Sequence, residues 1–530
     1  MGASLRRVVG SLPLLLATVA SSPLPLGQVP HYFQNSPFSR RQLPVTQVQK
    51  ELGELVSEGS LIFGPEDPAW TEATERWNIL APPTIQVVVQ PAQESDIPAI
   101  VKYCNVNNIK YLARNRGHGL TTSLGKFEGL EIDFAQLRGI TIKNGGKSAV
   151  FQGGTYGGLV IETLWDQGYV ATTGSNECVG LTGPALGGGH GRLEGLYGLV
   201  SDNIIHLNVV LADGSAIGVN ASSHSDLYWA MQGAGHNFGI VTSLEMKIYP
   251  REVETWHYHN YIWTGDKLET VFEELNKFHG NGDTPARMGV NFGQISINTT
   301  ISETEAVLWW SFVYAGSAED AERLLAPFNA IGAVDEQIGD VPYPEIPGVQ
   351  GTDAAGGSCN SNVYAVGTVL TKSYNATTER ELYEHFNQQI ALYPELIPTA
   401  RLYHEGYATK AAQEVNPALS AYPHRDEIHL MFFFAAVPQG SDLLAPAQAW
   451  ARHAWDSWNA GEPGRRPATY VNYAAGLEYE TLEAIYGYEP WRLDRLRKLK
   501  AKYDPTNSFR YYVPIISDRK REAADAGDMH

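Results

Sequence analysis

In Arg114-Asn115-Arg116-Gly117-His118-Gly119 two arginines and a histidine are set among glycines. A second run, Gly183-Pro184-Ala185-Leu186-Gly187-Gly188-Gly189-His190-Gly191, repeats the bare backbone. Residues without a Cβ adopt positive φ and let successive N–H groups converge on an anion, and neighbouring guanidiniums add charge to such a hollow. A pyrophosphate is its natural guest. Neither G-x-G-x-x-G after a first strand nor G-x-x-x-x-G-K-[ST] occurs, which argues against a nicotinamide-type Rossmann site and a P-loop.

Immediately upstream, Ile85 to Val89 reads as a strand, Pro91 and Ala92 as a turn, and Ser95 to Asn107 as an amphipathic helix with acidic residues at its start, where the helix dipole favours them. Lys110 to Ala113 is a second strand, so the first glycine loop closes a β-α-β unit. Downstream to about Pro250, short apolar strands alternate with glycine clusters, and Ala212-Asp213-Gly214-Ser215 marks a hairpin. Residues 251 to 466 change character: helical patterns at Lys267 to Phe278 and Ala318 to Phe328 separate strands rich in Trp, Tyr and Phe. The stretch 467 to 517 reads as a strand at Tyr470 to Ala474 and a helix at Trp491 to Tyr503, stopped by Asp504-Pro505. The expected class is α+β. Residues 65–250 form a first, cofactor-binding module, 251–466 a second module on an aromatic-rich sheet, and 467–517 a segment returning to the first.

The outer segments read differently. Residues 1–20 have Arg6 and Arg7 ahead of the apolar run Val8 to Ala20 and small residues at its end, the pattern of a secretory signal peptide. Residues 21–64 read as a polar leader and 518–530 as a polar tail. The 530 residues are 43% hydrophobic and 18% charged, a globular composition, and the net charge of −19 repels phosphate backbones and anionic membranes. Nucleic acid is excluded as a partner, and after signal cleavage so is the membrane. Cys104, Cys178 and Cys359 are too few for a disulfide framework, and their odd number leaves at least one thiol without an intramolecular partner. No spacing suggests a metal site. Sequons at Asn220, Asn298 and Asn375 suit a secreted glycoprotein.

The ordered motifs resemble a known family. The loop at Arg114 to His118 is similar to the Arg-Ser-Gly-Gly-His loop of the FAD-linked oxidases of the vanillyl-alcohol oxidase or berberine-bridge-enzyme family, which carry a PCMH-type FAD-binding domain. Gly129 to Asp133 resembles the family's Gly-Leu-Val-Ile-Asp strand, Val179 to Gly191 its glycine-rich loop, and Asp226 to Ala230 with Gly239-Ile240-Val241-Thr242 its Asp-Leu-Phe-Trp-Ala and Gly-Ile-Val-Thr segments. Tyr470-Val471-Asn472-Tyr473, Tyr486-Gly487, Arg492-Leu493, Lys500 and Tyr503-Asp504-Pro505 resemble its C-terminal signature. The match runs in order from about residue 65 to 517.

That resemblance implies a bipartite FAD-binding domain and a substrate domain whose antiparallel sheet covers the flavin. His118 is implied as the histidyl attachment to the flavin's 8α-methyl group. Its neighbours Arg114 and Arg116 disfavour protonation of the imidazole. Arg114, Asn115, Arg116, Gly117, Gly119, Asn176, Cys178, Val179, Gly180, Gly183, Gly187, Gly188, Gly189, Ile240 and Val241 are implied around the cofactor. Doubly linked members carry a cysteine eleven residues before the Gly-Gly-Gly, a count that lands here on Asn176. A second, cysteinyl link is therefore not expected, although a shifted loop would bring Cys178 to the ring. Arg116 and His236, where the family usually has glycine, are further departures, closer to fungal secondary-metabolism members.

A base is needed when hydride leaves, and the family's tyrosine places that role on Tyr473, with Tyr470 second and Asn472 as a polar contact; a phenol in a dry, positive site can be tuned down towards working pH. His190 reads as a turn residue or a cofactor contact, His404 and His424 as candidate cavity residues, and Met431 to Phe434 as a core face. The expected activity is oxidation of an alcohol or amine of a small natural-product intermediate, with dioxygen as the acceptor. An oligosaccharide oxidase and a flavin-scaffold cyclase are the alternatives.

Overall fold

The computed structural model describes residues 43–516. The signal peptide and polar tail expected from the sequence lie outside the described residues. Four strands build a first sheet: β1 (Leu61–Phe63), β2 (Thr84–Gln90), β3 (Tyr111–Arg114) and β4 (Glu128–Asp133), in the order β1-β2-β4-β3. β2 and β3 both run parallel to β4, which lies between them, and the helix Asp96–Val106 makes the crossover from β2 to β3. Val87, Val89, Leu130 and Ile132 on these strands and Ile97, Ile100 and Val101 on the helix bury their apolar faces in one core.

β5 (Ile140–Lys143), β6 (Ser148–Gln152), β8 (Ile204–Val210), β9 (Ala216–Asn220) and β10 (Ile240–Lys247) form an antiparallel sheet in the order β5-β6-β10-β8-β9, while β7 (Tyr169–Val170) pairs with β11 (Tyr249–Pro250). β8 and β9 pair on either side of the expected hairpin turn. The second module is a seven-stranded antiparallel sheet of β12 (Trp256–Thr264), β13 (Asn291–Ser296), β14 (Val307–Tyr314), β15 (Asp335–Val341), β16 (Val363–Thr371), β17 (Arg401–Gly406) and β18 (His429–Val437), ordered β15-β12-β14-β13-β17-β18-β16. The helices Leu268–His279, Ala318–Asn329, Ala376–Leu392 and Leu444–Ala460 cover one face of it. Side chains of successive strand residues point to opposite faces, so the residues that do not enter that helical core face the first module.

Two expectations need correction. The leader does not run to residue 64. Helix Val45–Gly53 buries Val48 and Leu52 in the core of the first sheet, β1 pairs with β2, and the Asp96 carboxylate accepts hydrogen bonds from Ser57 and Ser60. Tyr470 to Ala474 is not a strand: Val471–Tyr473 is a 3-10 turn. Its side chains and carbonyls serve other segments, with Tyr512 donating to the Asn472 carbonyl and the Thr122 amide to the Ala475 carbonyl. The following helix, Pro490–Tyr503, sends Leu493, Leu496 and Leu499 into the core shared with β6, β8 and β10.

Candidate active site

A cavity of about 880 Å³ runs between the two modules. At one end lies the loop after β3. Arg114 donates to Asp133 and to the Glu72 carbonyl, and Asn115 donates to the Gly153 and Thr155 carbonyls. Gly117 has φ +70°, and a Cβ there would stand 2.6 Å from the Glu75 carbonyl oxygen, so the loop can take this path only with glycine. His118 follows. Burial, reinforced by Arg116 and then Arg114, pulls its pKa down to about 4, leaving a neutral imidazole. Its ring lies near-parallel to Trp77 at 6.0 Å, and Trp77 in turn stacks on Tyr364 of β16 at 4.1 Å, bridging the modules.

The residues around this end fit a dinucleotide. The buried Asn115 Oδ1, Arg114 Nε and Ser175 Oγ have no hydrogen-bond partner among the described residues, and the lining includes Val179, Gly180 and Gly183. Buried polar atoms are normally satisfied, so orphans beside a glycine-lined hollow mark a place for a polar guest. Gly119, Asn176, Ile240 and Val241 also line the cavity.

Four residues placed around the cofactor from sequence are not part of this lining. Gly187, Gly188 and Gly189 are bare because other side chains press on them, respectively Asn472, Tyr422 and Val200. They allow close packing rather than forming an anion hollow. Cys178 turns away to form a disulfide with Cys359, Cα–Cα 5.9 Å, so its thiol is not free for a bond to the flavin. Asn176 donates to Ser358 Oγ on the same loop, and the buried Arg192 ties Ser175 to Gln350 and Thr352, securing the rim from both sides.

At the other end the seven-stranded sheet is the floor. β17 alternates: Leu402 and His404 face the helices, whereas Arg401, Tyr403 and Glu405 face the cavity. In register with Tyr403 lie Gln294 on β13 and Phe432 on β18, and Trp309 continues the row on β14. The Glu405 carboxyl is buried and accepts a hydrogen bond from Tyr473 Oη at 3.1 Å and another from Tyr407 Oη. Burial pushes its pKa up to about 7, against the lowering effect of the two phenols.

The surroundings of Tyr473 do not tune its phenol down as expected. Burial and the adjacent Glu405 carboxylate drive the Tyr473 phenol well above its ordinary value, not down. Tyr470 Oη accepts from the Gly189 and His190 amides and from Asn472 Nδ2, so it clamps the glycine loop. Asn472 also donates to the Pro184 carbonyl. His190 bridges Glu194 and Tyr422, and His236 donates to the Gly183 carbonyl. Neither His404, bonded to Glu379, nor His424, bonded to the Ile485 carbonyl, lines the cavity. Met431 and Phe433 are core residues as expected, but the alternate Phe432 and Phe434 face the cavity.

Fold and site together define a flavoprotein of the two-domain FAD-binding class. A model of the FAD binding domain matches residues 85–220, and one described as berberine and berberine like matches residues 469–516. The FAD-linked oxidoreductase iacH of Pestalotiopsis fici is 60% identical over 507 residues, covering 95% of this chain and 97% of that protein. The FAD-linked oxidoreductase anuG of Penicillium roqueforti is 51% identical, covering 90% of this chain and 94% of its own. Among solved structures, BBE-like 1 of Physcomitrella patens superposes with a TM-score of 0.75 at 20% identity, covering 89% of this chain and 99% of its own. The chain belongs to the berberine-bridge-enzyme-like family of FAD-linked oxidoreductases.

Proposed function

We propose that this enzyme oxidises an alcohol or amine carbon of a small, partly aromatic substrate, using FAD carried on His118 and Glu405 as the base. Bound in the cavity, FAD supplies a two-electron hydride acceptor that dioxygen returns to its oxidised form as hydrogen peroxide is released. The loop Arg114 to Gly119, with Asn176, Val179, Gly180 and Gly183, would hold it. The neutral imidazole of His118 supports attachment there, and the disulfide at Cys178 supports a single link.

The observation that carries the reading is Glu405, a buried carboxyl poised near neutrality on the cavity face of the sheet. It takes the proton from the substrate's O–H or N–H, while Tyr473 and Tyr407 fix its orientation and donate to the charged form. Phe292, Trp309, Phe432 and Phe434 supply the apolar wall that suits an aromatic or allylic skeleton. Anaerobic mixing of purified protein with benzylic and allylic alcohols, amines and an oligosaccharide panel tests this. Loss of flavin colour with the first two classes and peroxide on readmitting air is the expected result. Bleaching by oligosaccharides alone would overturn the substrate class, and Glu405→Gln bleaching at the wild-type rate would overturn the base.

A further inference from the structure

We propose that the end of the cavity beyond Glu405 is an anion subsite, in which Arg401 holds a carboxylate so that the preferred substrate is an aromatic acid; this rests on the oxidase reading above. Arg401 and Glu405 lie on the same face of β17, four residues apart, which separates their Cα atoms by about 13 Å in an extended strand. Tyr403 lies between them, and Phe434 is in register with Arg401 on β18. The slot thus has a carboxyl base at one end, an aromatic floor and a guanidinium at the other.

Arg401 Nη1 donates to the Ile397 and Ala400 carbonyls at 3.2 and 2.7 Å, and Nη2 donates to the Pro398 carbonyl at 2.9 Å. These bonds fix the guanidinium but use three of its five N–H donors. Among the described residues no carboxylate forms an ion pair with it, in contrast to Arg76 and Arg114 at the cofactor end, which pair with Glu131 and Asp133. Arg401 is half-buried, and a guanidinium held in place without a counter-ion leaves its charge available to a ligand. A planar guanidinium with two free donors matches a carboxylate. An arene with a short unsaturated arm is of the same order of length as that Cα separation.

The probes are 4-(hydroxymethyl)cinnamate and its primary amide, titrated calorimetrically into the purified holoprotein. The acid should bind at least about tenfold tighter than the amide, by a margin that shrinks with added salt, because the bond is charge-assisted. Arg401→Gln should abolish the preference, and Arg401→Lys should keep part of it. Equal binding of the two probes in the wild type, including none for either, would overturn the subsite, as would a preference that survives in Arg401→Gln. Should Arg401→Gln melt lower because three carbonyls lose their donor, Arg401→Lys decides: a retained preference supports the subsite and a lost one overturns it. The titration needs no turnover. An acid preference with no flavin bleaching by any donor would therefore sink the oxidase reading alone, and oxidation of neutral alcohols without acid preference would sink the subsite alone.

Discussion

Glu405 unites burial, two phenol donors and a place on the cavity floor, and its environment sets a pH signature. Its pKa is raised to about 7, so the base form is present above that value and the reductive rate should climb as pH rises through it. Stopped-flow bleaching against pH reads this limb directly. Glu405→Gln should keep its flavin, lose the limb and slow reduction by roughly 10²–10⁴-fold, the usual range for a removed general base. Tyr473→Phe, which removes a donor to the charged form, should shift the limb to higher pH and slow reduction less. The sequence pointed instead to Tyr473 through its resemblance to the family's Tyr-x-Asn-Tyr motif, which is read locally, whereas the face on which Glu405 emerges depends on pairing with β13 and β18, far away in the chain.

At the scale of elements, two locks join distant segments. Cys178–Cys359 closes a separation of 181 residues across the module boundary. Serine at both positions should lower stability by about 2–5 kcal/mol in urea unfolding, and reductant should destabilise the wild type but not the double variant. On the helix Pro490–Tyr503, the buried Lys500 donates to Asp504 and to the Asn237 and Phe509 carbonyls, tying the returning segment to the first module. Lys500→Met should cost about 3–5 kcal/mol, since it strands a buried carboxylate. The helices and the β-α-β crossover were legible in the sequence because their periodicity and caps are local, as with Ser317, which caps Ala318–Asn329. The disulfide pairing and the loss of the Tyr470 to Ala474 strand were not legible. Both are decided by what lies opposite in space, a loop of the second module in one case and the glycine loop in the other.

For the whole molecule, buried ionisable groups set the response to acid. Burial lowers His118, His236 and His424 to about 4, His279 to about 3 and His429 well below its ordinary value, and it lowers His259 and His385 as well. As pH falls below the unfolded value of about 6.5, the unfolded chain takes up protons at these seven that the folded one refuses, and stability is lost. Glu405 and Glu427, raised to about 7, act in the opposite sense: between about 4.5 and 7 the folded state holds their protons better. Glu131, Asp133 and Glu480 are raised as well, so seven lowered histidines stand against five raised carboxyls and stability falls on descending from about 6.5 to 4.5. Chemical unfolding at pH 6.5, 5.5 and 4.5 should show stability falling monotonically across this range.

The two modules meet at the Trp77–Tyr364 stack beside His118, the place where the proposed cofactor would be anchored. Mass mapping of proteolytic peptides from the purified holoprotein tests the anchoring that the account rests on. The peptide containing His118 should be heavier by one FAD less two hydrogens, with fragmentation placing the addition on that histidine, and His118→Ala should release its flavin on acid precipitation. A His118 peptide of unmodified mass in protein that still carries flavin would contradict the account.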